Sequence, residues 1–428
     1  MSLKKDIDEL VSKGIISAET ADKIQVYYRE KEEHSPNRIL IAFGILGAIL
    51  VGLGIILIIA YNWDELPRIT KTILAFLPLA IGQSLCMYVL FTKKESITWR
   101  ESCSAFLFFS VAATISLISQ IYHIQGNLSS FLLTWMLLCF PLIYLMNSSI
   151  TSLLYIAGIT FYACESGYWT FPHSESYYYW VLILAVLPHY YFLFKGKPTS
   201  NFLIFHNWLL PLSLIISLGI IAKDQEELVF IAYMNLFAIL YLIGSFNYFR
   251  QQQLRNNGFM VLGSIGTIVI LLITSFNWFW QDLQQETFHW NEIVVSPEFI
   301  AVILLTIVSG ILVFISWKKK SLAQYKPMEG IFILFILIYL IGVNSFVAVF
   351  LINVLILLLA IWVIREGATR DHLGILNYGL LIISALVICR FFDTDLSFIL
   401  RGVLFVLVGS GFFVANYWMV KKRRSHED

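Results

Sequence analysis

The chain has 428 residues, of which 58% are hydrophobic, 16% aromatic and only 13% charged, with a formal net charge of +1. Soluble domains carry about 25% charged residues, so an ordinary water-soluble enzyme is excluded. The missing basic stripe argues against nucleic acid as a partner. The lipid bilayer is the solvent this composition expects.

Residues 1–34 read as a short cytoplasmic helical hairpin. Ile7, Leu10 and Val11 share one helical face, Ala21, Ile24 and Tyr28 share another, and Lys13-Gly14-Ile15-Ile16 breaks the pattern between them. Ser17 is placed to cap the second helix. This hairpin either packs on itself and the membrane surface or docks a cytoplasmic protein partner. The first span is expected to act as an uncleaved anchor, with no cleavable leader expected before it.

From Ile39 to Tyr61 the chain runs without a charge, long enough to cross a bilayer as one helix. Further apolar runs follow at about 69–91, 102–122, 128–146, 149–167, 177–194, 201–222, 228–249, 258–277, 298–317, 329–343, 346–364, 372–392 and 397–420. The expected fold is therefore all-α, a polytopic transmembrane helix bundle over residues 38–420 with about 14 spans (range 12–14). A basic tail, 421–428, follows it.

Loop charge orients this threading. With the N-terminus inside, 24 of the 29 basic residues fall on the cytoplasmic side, and only Arg68, Lys71, Lys223, Arg390 and Arg401 fall outside. An even number of spans keeps Lys421 to Arg424 inside, so both termini are expected in the cytoplasm of a bacterial inner membrane. Trp63, Trp169, Trp180, Trp278, Trp280 and Trp290 are expected at the outer interface, and Trp99, Trp317, Trp362 and Trp418 at the inner one. Gly44, Ala48 and Gly52 form a small-residue ridge on the first span.

The first span ends in Ala60-Tyr61-Asn62-Trp63 and the ninth in Ser275-Phe276-Asn277-Trp278. One reading is a parallel repeat, 39–194 and 258–420, as in some transporters; the other is chance likeness between apolar stretches ending at an interface.

Polar residues gather at the outer span ends. The candidate substrate-binding cluster is Asn62, Asp64, Gln120, Tyr122, His123, Glu165, Arg390, Asp393, Asp395 and Arg401. Arg401 lies about 9 Å into the last span and must snorkel or meet a carboxylate. Two readings of 390–401 stand side by side: a capped helix start tethered by its arginines, or a paired-charge site for a polar or anionic substrate. Asp64-Glu65 beside Trp63 also invites comparison with transferases that keep an acidic pair in an outer loop. His189, His206 and Asn207 read as hydrogen-bonding residues of the spans. Cys86, Cys103, Cys139, Cys164 and Cys389 read as small buried hydrophobes, since none has metal-ligand spacing. Neither a metal nor a cofactor is implied.

Leu10-Val11-Ser12-Lys13-Gly14-Ile15-Ile16-Ser17-Ala18-Glu19-Thr20-Ala21-Asp22-Lys23-Ile24, the first-span ending at 60–67 and the third-span ending at 118–126 form a pattern together with 390–395 and 401–409. It resembles the bacterial membrane-protein family catalogued as domain of unknown function 2157. The resemblance implies a multi-span inner-membrane protein with a small cytoplasmic N-terminal region, and supplies no catalytic residues. The leading functional expectation is a transporter-like protein, or one handling lipid or small solutes, through a polar vestibule at the outer face. The alternatives are a membrane-embedded transferase using outer-face carboxylates and an assembly or sensing protein acting through its hairpin.

Overall fold

The computed structural model describes residues 16–24, 63–169, 177–223, 225–250, 253–285, 290–319 and 326–391, with isolated positions around them. Most of the hairpin, the first span with its small-residue ridge, nearly all of the last span and the basic tail lie outside the described residues. So do Asn62, Asp393, Asp395 and Arg401. The chain divides into two compact units, 1–76 and 77–428.

In the first unit, residues 18–24 are helical. Ser17 caps them as its residue type suggests: the Thr20 N–H donates to its Oγ at 3.2 Å. Gly14, in the break before it, has a φ of +68°, a conformation that costs glycine nothing.

All regular structure among the described residues is helical, with no strand among them. The helices are α1 (Arg68–Thr92), α2 (Ile97–Tyr122), α3 (Leu128–Leu145), α4 (Ser149–Cys164), α5 (Tyr178–Leu184), α6 (Leu187–Gly196) and α7 (Asn201–Leu218). They continue with α8 (Leu228–Gly244), α9 (Gly258–Ile273), α10 (Asn277–Gln285), α11 (Pro297–Lys319), α12 (Ile331–Gly342), α13 (Val347–Thr369) and α14 (Leu373–Phe391). Eight stretches among the described residues are long and apolar enough to cross a membrane. Each apolar run expected between 69 and 392 is occupied by helix, which is what lipid requires of a backbone that must satisfy its own hydrogen bonds.

Local chemistry sets the helix starts. Asn127 accepts from the Ser130 N–H at 2.8 Å, and Ser200 accepts from the Phe202 N–H at 3.2 Å. Asn257 does two jobs from one buried side chain. Its Oδ1 accepts from the Met260 N–H at 3.1 Å, capping α9, while its Nδ2 donates to the Gly244 carbonyl at 2.8 Å, closing α8.

Three expectations shift in detail. The third apolar run begins its helix at Ile97 rather than 102, so Arg100 and Glu101 lie in the first turns of α2 instead of a loop. The sixth is interrupted between Leu184 and Leu187, because Pro188 has no N–H and its ring crowds the carbonyl four residues back. The Ala185 carbonyl at this break accepts instead from the Tyr144 hydroxyl. Finally, α9 does not run on past Ile273: α10 turns away by 71°. It buries Phe279, Trp280 and Leu283 and exposes Gln281 and Asp282, the pattern of a helix lying across the bundle end. Trp280 is thus an interior residue and not a headgroup anchor, its indole N–H donating to the Thr274 carbonyl at 2.7 Å.

The second unit is built around α8. Thirteen of its 17 residues are buried, and it packs against α7, α9, α11 and α12. Contact with α9 is backbone to backbone: a Cβ on Gly263 would lie 2.6 Å from the Tyr241 nitrogen. The outer helices turn large apolar side chains such as Phe192, Ile303 and Phe350 outward, as a lipid-facing surface would.

Candidate functional site

The described members of the sequence-derived cluster are carried by different elements. Asp64 is exposed in a single 3-10 turn, Trp63–Glu65, of the first unit. Gln120 and Tyr122 are exposed at the close of α2. His123 follows in the left-handed region, φ 51°, where it stops the helix as its N–H turns back to the Gln120 carbonyl. Glu165 opens a π-type turn, Glu165–Trp169, directly after α4. Arg390 sits in the last turn of α14, where its guanidinium donates to Ser275 Oγ at 3.1 Å and lies 4.6 Å from the Phe276 ring centroid. Asn353 donates to the Ser275 carbonyl at 3.1 Å, so three helices meet at the end of α9. Gln120, Tyr122, His123 and Glu165 ride on α2 and α4, which pack on each other; Arg390 rides on α14, which packs on α9 and α13.

A denser polar group lies at the opposite end of α2, about 30 Å from Tyr122 at 1.5 Å per residue. Glu101 is buried there and its carboxylate faces the start of α4. It accepts from Ser148 Oγ at 2.5 Å, from the Ser149 N–H at 3.0 Å and from the Ile150 N–H at 2.8 Å. Ser148 Oγ in turn accepts from the Thr151 N–H at 3.2 Å and from Ser104 Oγ at 2.7 Å. The first three N–H groups of α4, which no intrahelical carbonyl can reach, are thereby all satisfied. A carboxylate at a helix N-terminus is also favoured by the helix dipole. Glu101 is a cap lent by a different helix, and its charge is compensated where it stands.

One turn further along, His206 is fully buried on α7. Its Nδ1 lies 2.7 Å from the Phe202 carbonyl, which can only accept, so Nδ1 carries the proton. Its Nε2 lies 2.9 Å from Ser152 Oγ. The His189 ring, on α6, lies tilted beside it with centroids 6.0 Å apart. His189 is just 3% exposed, yet its Nε2 has no hydrogen-bond partner among the described residues.

The His189 ring borders a cavity of about 280 Å³. Arg100, Glu101, Asn147, Ser149, Lys197 and Ser200 supply its polar wall, and Ile97, Phe192, Leu193 and Phe202 its apolar one. Arg100 Nε is buried without a hydrogen bond, and neither Arg100 nor Lys197 is ion-paired among the described residues. Since every bond the Glu101 oxygens make is directed at α4 and Ser148, the wall presents donors and positive charge to whatever enters.

A second charged group closes the ends of α11, α12 and α13. Glu366 pairs with Lys326 at 3.4 Å and Arg370 at 2.9 Å. Burial holds the Lys326 ammonium below the ordinary lysine range, with the Glu366 carboxylate working the other way. Ser316 donates to the buried Glu329 at 3.2 Å nearby. A mostly apolar cavity of about 200 Å³ adjoins Lys326 and Glu366.

Sequence reasoning does not single out Glu101, Ser148 or Arg100. The one signal it holds is the uncharged Asn147-Ser148-Ser149 loop, a helix start with cap residues but no carboxylate of its own in the first turn. Among the described residues no group of three His, Cys, Asp or Glu side chains is arranged to hold a metal ion.

A family model described as predicted membrane protein (DUF2157) matches residues 8–152. No curated protein and no solved structure matches the chain. The matched stretch takes in the Glu101 cap, the loop before α4 and Ser152, and stops short of His189 and His206. Across residues 8–152 the chain is therefore similar to the predicted membrane proteins described as DUF2157.

Proposed function

We propose that this membrane protein handles a small solute or a lipid headgroup, in transporter-like fashion, through the cavity between the starts of α2 and α7 and the end of α6. The observation that supports the reading is a polar-walled cavity bordered by Arg100 and Lys197, neither ion-paired among the described residues, with the buried His189 ring in its wall. A buried polar atom without a partner costs stability, and such groups collect where a ligand completes their bonding. The positive-inside bias assigns this end, with Lys93, Lys94, Lys195 and Lys197, to the cytoplasmic face of a bacterial inner membrane. On this reading Arg390, Ser275 and Asn353 belong to the other end of the protein, the face at which the sequence alone expects a vestibule.

Gly196 gives a direct test. It borders the cavity, and an added Cβ there meets nothing within 4 Å; the same openness holds at Gly310, far along α11 and away from the cavity wall. Gly196→Trp is expected to plug the cavity mouth and to fail in restoring a deletion strain's solute or lipid profile. Gly310→Trp is expected to restore it. Equal rescue by both variants would remove the cavity from the function.

A further inference from the structure

We infer that the group bound in this cavity is a phosphate, carried either on an anionic lipid headgroup or on a phosphorylated solute. The inference rests on the reading that the cavity is a ligand site and adds the ligand's chemistry.

Four donors from three parts of the fold line the space: the Arg100 guanidinium at the start of α2, the Asn147 amide in the turn before α4, and His189 and Lys197 on and just after α6. Arg100 brings a planar fork suited to two oxygens of one ligand, and Lys197 a point charge that accepts any approach. The His189 imidazole completes the wall from the buried side. The sole carboxylate in the wall has its oxygens turned to α4, so a cation finds no free acceptor there. A phosphate offers at least three acceptor oxygens in a tetrahedral arrangement and can meet donors from several directions. A carboxylate offers two oxygens in one plane.

Cavity size and position agree with this. About 280 Å³ lies just below the roughly 300–1,000 Å³ typical of ligand cavities, enough for a headgroup or small phosphate ester. Ile97 and Phe192 line it and are also 46% and 65% exposed, so the wall continues into the outward apolar surface. Basic pockets between spans on the cytoplasmic side are where phosphate-bearing headgroups bind.

The experiment uses the full chain purified in a maltoside detergent, which contributes no phosphate of its own. Thermal unfolding is followed while inorganic phosphate, phosphatidic acid in mixed micelles, or citrate is titrated. A bound ligand raises the midpoint with its concentration. Phosphate or phosphatidic acid is expected to stabilise the wild type. Arg100→Gln and Lys197→Gln are expected to weaken that effect about tenfold, and the exposed, non-lining Lys195→Gln to leave it unchanged. Stabilisation by soluble phosphate points to a solute, and stabilisation by phosphatidic acid alone points to a lipid. Stabilisation by citrate alone, lost in Arg100→Gln, overturns the phosphate assignment and leaves the cavity as a ligand site. An unaltered response in Arg100→Gln and Lys197→Gln, an equal loss in Lys195→Gln, or no response to any probe overturns the assignment; full rescue by Gly196→Trp would independently sink the cavity itself.

Discussion

Ser148 Oγ donates to the Glu101 carboxylate at 2.5 Å across 47 residues of chain, tying the first turns of α2 to the residue that begins α4. The same oxygen atom accepts from Thr151, so one serine is both a local cap and a long-range strut. Glu101→Ala leaves the Ser149 and Ile150 N–H groups without acceptors in a buried place. Unmet buried donors cost about 1–3 kcal/mol each, so a loss on the order of 3 kcal/mol is expected. Glu101→Gln keeps one acceptor and is expected to lose less. Unfolding in detergent reads the difference, and an alanine variant as stable as wild type would show the strut to be idle.

The two buried histidines are expected to respond in opposite ways. His206→Phe removes the ring that joins the Phe202 carbonyl and Ser152, and is expected to cost about 1–3 kcal/mol. His189→Phe replaces an unsatisfied buried nitrogen by carbon, and is expected to be neutral or stabilising by up to about 1 kcal/mol. Paired melting curves check this, and a larger loss in the His189 variant would contradict it.

Helix contact at α8 and α9 predicts a contrast between glycines. Gly263→Ala drives a methyl against the Tyr241 nitrogen and the Phe237 carbonyl, and an overpacking loss of about 1–3 kcal/mol is expected. Gly310→Ala meets open space and is expected to be neutral or to gain up to about 1 kcal/mol in helix propensity. Proteolysis or thermal denaturation of the two variants separates them.

Lys326 predicts a dependence on alkaline pH. Its ammonium is held below the ordinary value of 10.5, chiefly by burial, so in the window just below 10.5 the unfolded chain holds a proton that the folded chain has released. Stability therefore gains with rising pH in that window from this one group, and the gain levels off and is kept once both states are deprotonated. The difference in stability between wild type and Lys326→Met is expected to shift toward wild type as pH rises through it. A difference that stays flat would mean that Glu366 offsets the burial.

The all-helical membrane character is legible because lipid permits little else: long uncharged runs have to become helices that satisfy their own backbones. Ser17 and Gly14 are legible because capping and left-handed turns are local matters. The start of α2 is not, since Arg100 and Glu101 look like the end of a span until Ser148 supplies a reason to bury the carboxylate. That reason lies 47 residues downstream and leaves no trace in a window of sequence. Trp280 reads as an interfacial aromatic for the same cause: only the fold brings Gly342 close enough that a Cβ there would lie 1.9 Å from the indole. Polar residues do gather at span ends, yet whether Gln120, Glu165 and Arg390 serve one cavity depends on helix neighbours that no single sequence specifies.

Seventeen residues give α8 a length of about 25 Å, shorter than a typical hydrocarbon core of about 30 Å. Enclosed by other helices, it meets hardly any acyl chain, so bilayer thickness exerts little pull on it. A change in membrane thickness would bear first on the outward-facing helices, while α8 stays held by α7, α9, α11 and α12.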